Sequence, residues 1–128
     1  MAEYVMKHLC REAGVADRFE IQSAAVSSEE IGNDIYPPAK RKLREKGVPF
    51  DTRAARRITP ADYNYFDYIL CMDQSNLRWL ERIIGEDRAH KVSLLLPEGI
   101  SDPWYTGDFE TAYCDILSGC RTLLQQLL

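Results

Sequence analysis

The stretch FDYILCMDQSNLRWLERII, residues 66–84, decides the fold class of this 128-residue chain. FDYILCM (66–72) is an apolar run rich in strand-forming residues, which predicts a buried strand. Asp73 follows directly and is a good N-cap for the amphipathic helix predicted over 74–84, which Gly85 ends. A buried strand that leads into a capped helix is typical of α/β proteins with parallel sheets.

The rest of the chain repeats this alternation of helices and strands. The other predicted elements, in chain order, are an amphipathic helix at 2–13 ended by Gly14, a strand at 19–25, a helix from Pro37 to about Lys46 stopped by Gly47, a short helix capped by Thr59 with Pro60 and Asp62 in its first turn, a strand at 91–96, and a long helix from Phe109. This order predicts one three-layer α/β domain over residues 1–128, with a mostly parallel sheet covered by helices on both faces.

The net charge of −4 is unevenly distributed along the chain. Residues 40–57 hold eight Lys or Arg against Glu45 and Asp51, so this segment could attract phosphate or nucleic acid. We expect a solvated helix face followed by a basic loop instead. Phe50 is the only aromatic residue among these bases, so a stacking surface for nucleic acid is unsupported.

Composition also limits the compartment and the cofactors. Charged residues occur throughout the first helix, and the longest apolar run is VSLLL at 92–96, so neither a signal peptide nor a membrane span is predicted. We expect a soluble, cytoplasmic protein without membrane contact. The four cysteines form no CxxC pair, which disfavours zinc, and we expect no metal and no cofactor.

Four stretches resemble the low molecular weight protein-tyrosine-phosphatase family in the same order and spacing. They are MAEYVMKHL, IQSAAVSSEEIGN, GVPFDTRAARRITPADYNYFDYILCMDQSNL and SDPWYTGDFETAY. The resemblance covers nearly all of the chain. It implies hydrolysis of phosphotyrosine monoesters, in a protein or a small aryl phosphate, through a phosphocysteine intermediate and without a metal.

The same resemblance implies that a catalytic segment is missing from these residues. The family begins with a strand that leads into a loop of the form Cys, five residues, Arg, Ser-Pro, and the stretch that follows is similar to Met1-Ala2-Glu3. No cysteine of residues 1–128 is followed by an arginine at that spacing. Cys71 and Cys114 each have six residues before the next arginine, and we expect both to be buried packing residues and not nucleophiles.

Residue by residue, the resemblance implies the following site. Asp102 corresponds to the general acid and base, and Trp104 and Tyr105 to the aromatic wall of the substrate pocket. Glu29 and Glu30 fall in the loop that forms the opposite wall. Ser23 corresponds to a serine that supports the phosphate-binding loop, and Arg53 stands where many members have a supporting histidine.

The missing strand is central in the family's sheet order, 2-1-3-4. Its absence predicts an unfilled sheet centre, with the strands at 19–25 and 66–72 about 10 Å apart, and possible self-association through that gap. Two hypotheses follow. Either the native chain starts upstream of Met1 and is an active phosphatase, or this is a truncated, non-catalytic paralogue that acts in binding or interaction. Residues 1–128 alone are expected to be inactive in both cases. The residues that best separate tyrosine phosphatases from arginine phosphatases and arsenate reductases lie in the missing loop.

Overall fold

The computed structural model describes residues 1–27, 32–52 and 54–128. In chain order the elements are α1 (Ala2–Glu12), a 3-10 turn (Ala16–Arg18), α2 (Pro37–Glu45), α3 (Pro60–Tyr65), β1 (Ile69–Cys71), α4 (Gln74–Ile84), β2 (Val92–Leu94), α5 (Pro103–Thr106) and α6 (Phe109–Leu127).

The predicted helix boundaries are confirmed to within a residue where the sequence supplies a cap. The Thr59 side chain accepts a hydrogen bond from the Asp62 amide, and the Asp62 carboxylate accepts one from the Thr59 amide, which completes a capping box on α3. Asp73 and Asn76 form the same reciprocal arrangement on α4. Gly14 follows α1 with a φ of +72°, a conformation that glycine adopts without steric cost.

The sheet has two strands in the described part of the chain. β1 and β2 are parallel, with Ile69 opposite Val92 and Cys71 opposite Leu94. Both strands are shorter than the predicted runs at 66–72 and 91–96, because an apolar run marks burial more clearly than it marks backbone pairing. Parallel pairing across α4 is the arrangement that the sequence predicts.

The strand predicted at 19–25 is wrong. Ala25 alone forms a bridge, to Arg57, with the Ala25 amide 2.7 Å from the Arg56 carbonyl oxygen and the Ile58 amide 2.9 Å from that of Ala25. The alternation of apolar residues here places side chains on a packed surface, but a ladder also needs a neighbouring strand. Within the described residues no strand pairs with this segment.

β1 has one backbone side that β2 does not use. The amide of Ile69 donates to Lys91 and the carbonyl of Cys71 accepts from Leu95, so both residues direct their backbone groups toward β2. Alternate residues of a strand direct these groups to opposite sides, so the amide and carbonyl of Leu70 point away from β2. No strand of the described residues pairs with Leu70 on that side.

Most of the core lies between α1, α2 and α6. The buried cluster is Tyr4, Val5, Met6, Cys10, Leu43, Val48, Leu95, Ile100, Tyr113, Ile116, Cys120 and Leu124. Leu70 and Met72 pack against it, whereas Cys71 is buried outside it, as is Leu80 of α4. Side chains alternate between the two faces of a strand, so β1 has the α1–α6 core on one face and α4 on the other.

Glycine allows the end of the sheet to approach α6 closely. A Cβ atom at Gly119 would lie 2.8 Å from both Cγ and the carbonyl oxygen of Leu95, which is closer than packed atoms tolerate. This contact fixes β2 against the helical core. None of the helices in residues 1–27, 32–52 and 54–128 is long and apolar enough to cross a membrane.

Candidate functional site

Asp102 begins a one-turn helix that the sequence does not predict. Its carboxylate oxygen Oδ1 accepts a hydrogen bond from the Trp104 amide at 2.9 Å, and Pro103 occupies the first helical position. Asp and Pro are favoured at these two positions, which explains why the segment folds locally. Asp102 is exposed at the start of α5.

α5 is joined to α6 by a two-residue connection with defined geometry. Gly107 has a left-handed φ of +73°, and its amide donates to the Pro103 carbonyl at 2.8 Å. Asp108 then caps α6 by accepting hydrogen bonds from the amide and the hydroxyl of Thr111. These bonds, the amide's first, hold the pKa of Asp108 below its usual value. The Asp102 segment is therefore anchored to the longest helix.

Trp104 and Tyr105 are exposed aromatic residues beside Asp102. The exposed fraction is 57% for Trp104 and 84% for Tyr105. The Trp104 ring contacts Tyr36, with centroids 4.5 Å apart, and the Tyr36 ring lies 6.0 Å from that of Phe109. Large aromatic surfaces left in solvent are available to pack on a flat ligand.

Ser23 lies in a second polar group, at the first turn of α1. Its hydroxyl donates to Oε1 of Glu3 at 2.7 Å, and Lys7 donates to Oε2 at 2.6 Å. The Glu3 side chain is only 11% exposed. A carboxylate in a first helical turn is favoured by the helix dipole, so this group stabilises the start of α1.

Three of the residues implied by the resemblance lie outside the described part of the chain. These are Glu29, Glu30 and Arg53. Their assignment to the opposite wall and to loop support stays a prediction.

The three buried cysteines, Cys10, Cys71 and Cys120, are poor nucleophiles. Burial, reinforced by the Asp73 charge, raises the pKa of Cys71 to about 11. Burial raises the pKa of Cys120 to about 12 and also raises that of Cys10. A neutral buried thiol does not attack phosphorus, because the thiolate is the reactive form. Cys114 is exposed, so the expectation that it packs in the core is wrong: it lies on the solvent face of α6, with Sγ 3.9 Å from Glu110.

Four of the eight basic residues at 40–57 form ion pairs within the described part of the molecule. Lys42 and Lys46 each lie 2.8 Å from a Glu110 carboxylate oxygen, and Arg56 lies 2.8 Å from that of Asp62. Lys40 pairs with Asp34. This pairing agrees with the expectation of a solvated helix face.

The described residues contain no candidate set of metal ligands. No group of three or more His, Cys, Asp or Glu side chains there is arranged to hold an ion. The expectations of no metal and no cofactor stay predictions.

Two residues that contact the candidate site residues were not among the candidates from the sequence. Tyr36 contacts Trp104 from the start of α2, and Glu3 accepts the Ser23 hydrogen bond. The tyrosine directly before Pro37-Pro38 is the only sequence signal that could have drawn attention to Tyr36, because proline restricts the residue that precedes it. Nothing local distinguishes Glu3 from other first-turn acids.

Comparisons with known proteins agree on one family. The family model described as low molecular weight phosphotyrosine protein phosphatase matches residues 1–128. The human low molecular weight phosphotyrosine protein phosphatase is 37% identical over 136 residues, covering 98% of this chain and 85% of the relative. The crystal structure of YfkJ from Bacillus subtilis superposes with a TM-score of 0.93 at 30% identity, covering 98% of this chain and 84% of that one.

A third similarity bears on specificity. A Drosophila arginine phosphatase superposes with a TM-score of 0.87 at 30% identity, covering 98% of this chain and 87% of the other. The solved structures that share about 30% sequence identity with this chain therefore include an arginine phosphatase as well as YfkJ.

Proposed function

This chain belongs to the low molecular weight phosphotyrosine protein phosphatase family, which acts on phosphotyrosine substrates. From that membership we propose that the native protein hydrolyses aryl phosphate monoesters. The single observation that carries the proposal is the Asp102–Trp104 segment. There the backbone amide of Trp104 donates a hydrogen bond to the carboxylate of the exposed Asp102, and the Trp104 side chain is exposed beside it. Asp102 protonates the leaving phenolate and then takes a proton from the attacking water. Trp104 and Tyr105 pack on the aromatic ring of the substrate.

The remaining implied residues have supporting roles in this proposal. Glu29 and Glu30 form the opposite wall of the pocket. Ser23 and Arg53 support the phosphate-binding loop. In the described structure the Ser23 hydroxyl donates a hydrogen bond to Oε1 of Glu3, at the first turn of α1.

The nucleophile in this proposal comes from outside residues 1–128. A covalent phosphoryl intermediate needs a thiolate of lowered pKa, backbone amides that surround the dianion, and an arginine fork for its oxygens. The buried cysteines Cys10, Cys71 and Cys120 have raised pKa values instead, and none of the four cysteines, the exposed Cys114 included, is followed by an arginine after five residues. We therefore propose that a strand followed by Cys, five residues and Arg precedes Met1 in the native protein, and that residues 1–128 alone are inactive.

Two features of the described residues support an additional strand at this place. The backbone amide and carbonyl of Leu70 point to a side of β1 that β2 does not occupy, and a central strand would pair there. Met1 is half-buried and packs against the core, so a segment joined to it would enter the interior. The human relative is also longer, since the match covers 85% of it.

The reading frame upstream of Met1 provides the first test. We expect an in-frame strand and a Cys-x5-Arg loop, and we expect the intact mass of the native protein to exceed that of the 128-residue chain. Absence of both features would contradict the proposal that the native protein is a phosphatase.

Activity provides the second test. We call the chain that includes the proposed strand and Cys-x5-Arg loop ahead of Met1 the extended chain. The extended chain is expected to hydrolyse p-nitrophenyl phosphate and phosphotyrosine and to be inhibited by vanadate. The 128-residue chain is expected to hydrolyse neither. Asp102→Asn in the extended chain should lower kcat on the order of 100-fold, since general acid–base catalysis contributes about 10²–10⁴. Asp17→Asn, an exposed acid in the 3-10 turn, is the matched control and should change nothing. Faster turnover of phosphoarginine than of phosphotyrosine would overturn the aryl specificity.

The sequence of residues 1–128 also supports a second candidate, a non-catalytic paralogue that acts by binding. It contains no Cys-x5-Arg, and the open side of β1 at Leu70 could pair with a strand of a second chain. This candidate predicts a native mass equal to that of the 128 residues and a sedimentation coefficient that rises with concentration. Vanadate-sensitive turnover by the 128-residue chain would contradict it.

A further inference from the structure

From the contacts of Trp104, we infer that Tyr36 is a positioning residue, which holds the Trp104 wall and through it orients the Asp102 carboxylate. The ring centroids of Tyr36 and Trp104 lie 4.5 Å apart with the planes tilted by 51°. Tyr36 also contacts Phe109 at 6.0 Å, so it bridges the indole and the first residue of α6. The inference rests on the proposed function, because it assigns Tyr36 to the same site.

The backbone of Tyr36 is fixed by its own helix. Its carbonyl oxygen accepts hydrogen bonds from the amides of Ala39 at 2.9 Å and Lys40 at 3.1 Å. Pro37 follows immediately and restricts the backbone of Tyr36, which has a φ of −56° and a ψ of 130°. Little backbone freedom is therefore left at the position from which the ring extends.

α2, which carries Tyr36, is itself held firmly. Leu43 is fully buried in the core, and Lys42 and Lys46 bind one Glu110 carboxylate on α6. α5, in contrast, has four residues and none of them is buried. The rigid partner in the contact is Tyr36, and the segment that needs support is the one that carries Trp104.

A single hydrogen bond transmits this support to the acid. The Trp104 amide donates to Oδ1 of Asp102 at 2.9 Å, so displacement of Trp104 changes the direction of the carboxylate. Misplacement of a catalytic group by about 1 Å can lower a rate on the order of 100-fold. Removal of the Tyr36 ring should therefore impair proton donation by Asp102 without removing any atom that contacts substrate.

The structural half of the inference can be tested in the 128-residue chain. Trp79→Phe leaves Trp104 as the only tryptophan, and acrylamide quenching of its fluorescence reports its exposure. Tyr36→Ala should increase quenching and shift the emission to longer wavelength, and Tyr36→Phe should restore the parent values. Tyr65→Ala removes another exposed tyrosine ring, which contacts Phe66 and not Trp104, and is the control. Circular dichroism verifies folding, and unchanged quenching in folded Tyr36→Ala overturns the inference.

The catalytic half uses leaving-group dependence in the extended chain. A poor leaving group needs protonation by Asp102 and a good one does not, so Tyr36→Ala should lower kcat/KM on the order of 10-fold or more for phenyl phosphate and much less for p-nitrophenyl phosphate. In an Asp102→Asn background, Tyr36→Ala should have no further leaving-group effect. Equal losses for both substrates indicate general destabilisation and contradict the positioning role.

The two halves separate the possible failures. Unchanged quenching contradicts the contact between Tyr36 and Trp104, whatever the activity. Increased quenching together with an extended chain that does not turn over any aryl phosphate contradicts the proposed function, and with it the positioning role of Tyr36 in catalysis.

Discussion

The two halves of this molecule are packed to different degrees. The helical half, α1, α2 and α6, holds most of the buried cluster, including Val5, Leu43 and Cys120 at 2% exposure or less. The strand half, β1, β2, α3 and α4, buries Leu80 to the same degree, but its β1 pairs with no strand of the described residues on the Leu70 side. Three exposed aromatic residues also lie in this half: Tyr65, Tyr68 and Trp79. The helical half can therefore supply most of the stability of these residues, whereas the strand half has the smaller share of the buried cluster.

Truncation of a core leucine should have the largest effect on stability. Leu43→Ala in the helical half is expected to lower the free energy of unfolding by about 2–5 kcal/mol, because it removes a fully buried side chain and leaves a cavity. Leu77→Ala, at a half-buried position on α4, should cost clearly less. Urea unfolding of the two variants measures the difference. Equal losses would break the comparison between the halves.

Disruption of the contact between Gly119 and Leu95, which joins the two halves, should have the second-largest effect on stability. Gly119→Ala places a methyl group 2.8 Å from Leu95 Cγ and from its carbonyl oxygen, and the backbone atom cannot move away easily. We expect a loss of about 1–3 kcal/mol from overpacking. Ser118→Ala, one residue earlier on the exposed side of α6, is the control and should be nearly neutral. A neutral Gly119→Ala would show that β2 shifts freely relative to the helical half.

Loss of a helix cap should affect the strand half locally. Asp73→Ala removes the acceptor for the Asn76 amide at 2.8 Å and should cost about 1 kcal/mol. Hydrogen exchange is expected to quicken in the first turn of α4 and not in α1 or α6. Gln74→Ala, next to the cap and exposed, is the comparison variant. Faster exchange throughout the chain would mean that the halves unfold as one unit.

The smallest effect is expected for the surface ion pairs that join α2 to α6. Lys42, then Lys46, lowers the pKa of Glu110 from 4.5 to about 2. A lowered carboxyl pKa stabilises the fold above the ordinary value, and this contribution is lost as the pH falls from about 4.5 to about 2. Glu110→Gln should therefore lower Tm slightly at neutral pH, and its difference from the parent should shrink through that acid range. A difference that persists at pH 2 would contradict the pairing.

Local chemistry explains which parts of the fold could be predicted from sequence. Asp73 and Thr59 carry their caps within three residues, so α4 and α3 begin where their sequences indicate. The segment at 19–25 was mispredicted because its apolar alternation reports burial, while pairing depends on a strand distant in sequence. Cys114 was mispredicted because a cysteine within a helix does not reveal which face it lies on.

The candidate site was predictable in part, for the same reason. Asp102, Trp104 and Tyr105 came from a contiguous motif, and the structure adds that α5 joins the first two by a hydrogen bond. Tyr36 lies 68 positions before Trp104, and no periodicity relates the two. Contacts of this kind depend on how α2 packs on α6, which only the folded chain defines.

The two ends of the chain differ in a way that affects how the protein should be handled. Met1 packs against the core, whereas Leu128 is 58% exposed at the end of α6. In the 128-residue chain, an affinity tag or a biosensor linkage joined directly to Met1 would place foreign residues next to the core contacts of α1. Attachment after Leu128 leaves the core undisturbed, so immobilisation through that end is expected to preserve the melting temperature of the untagged chain.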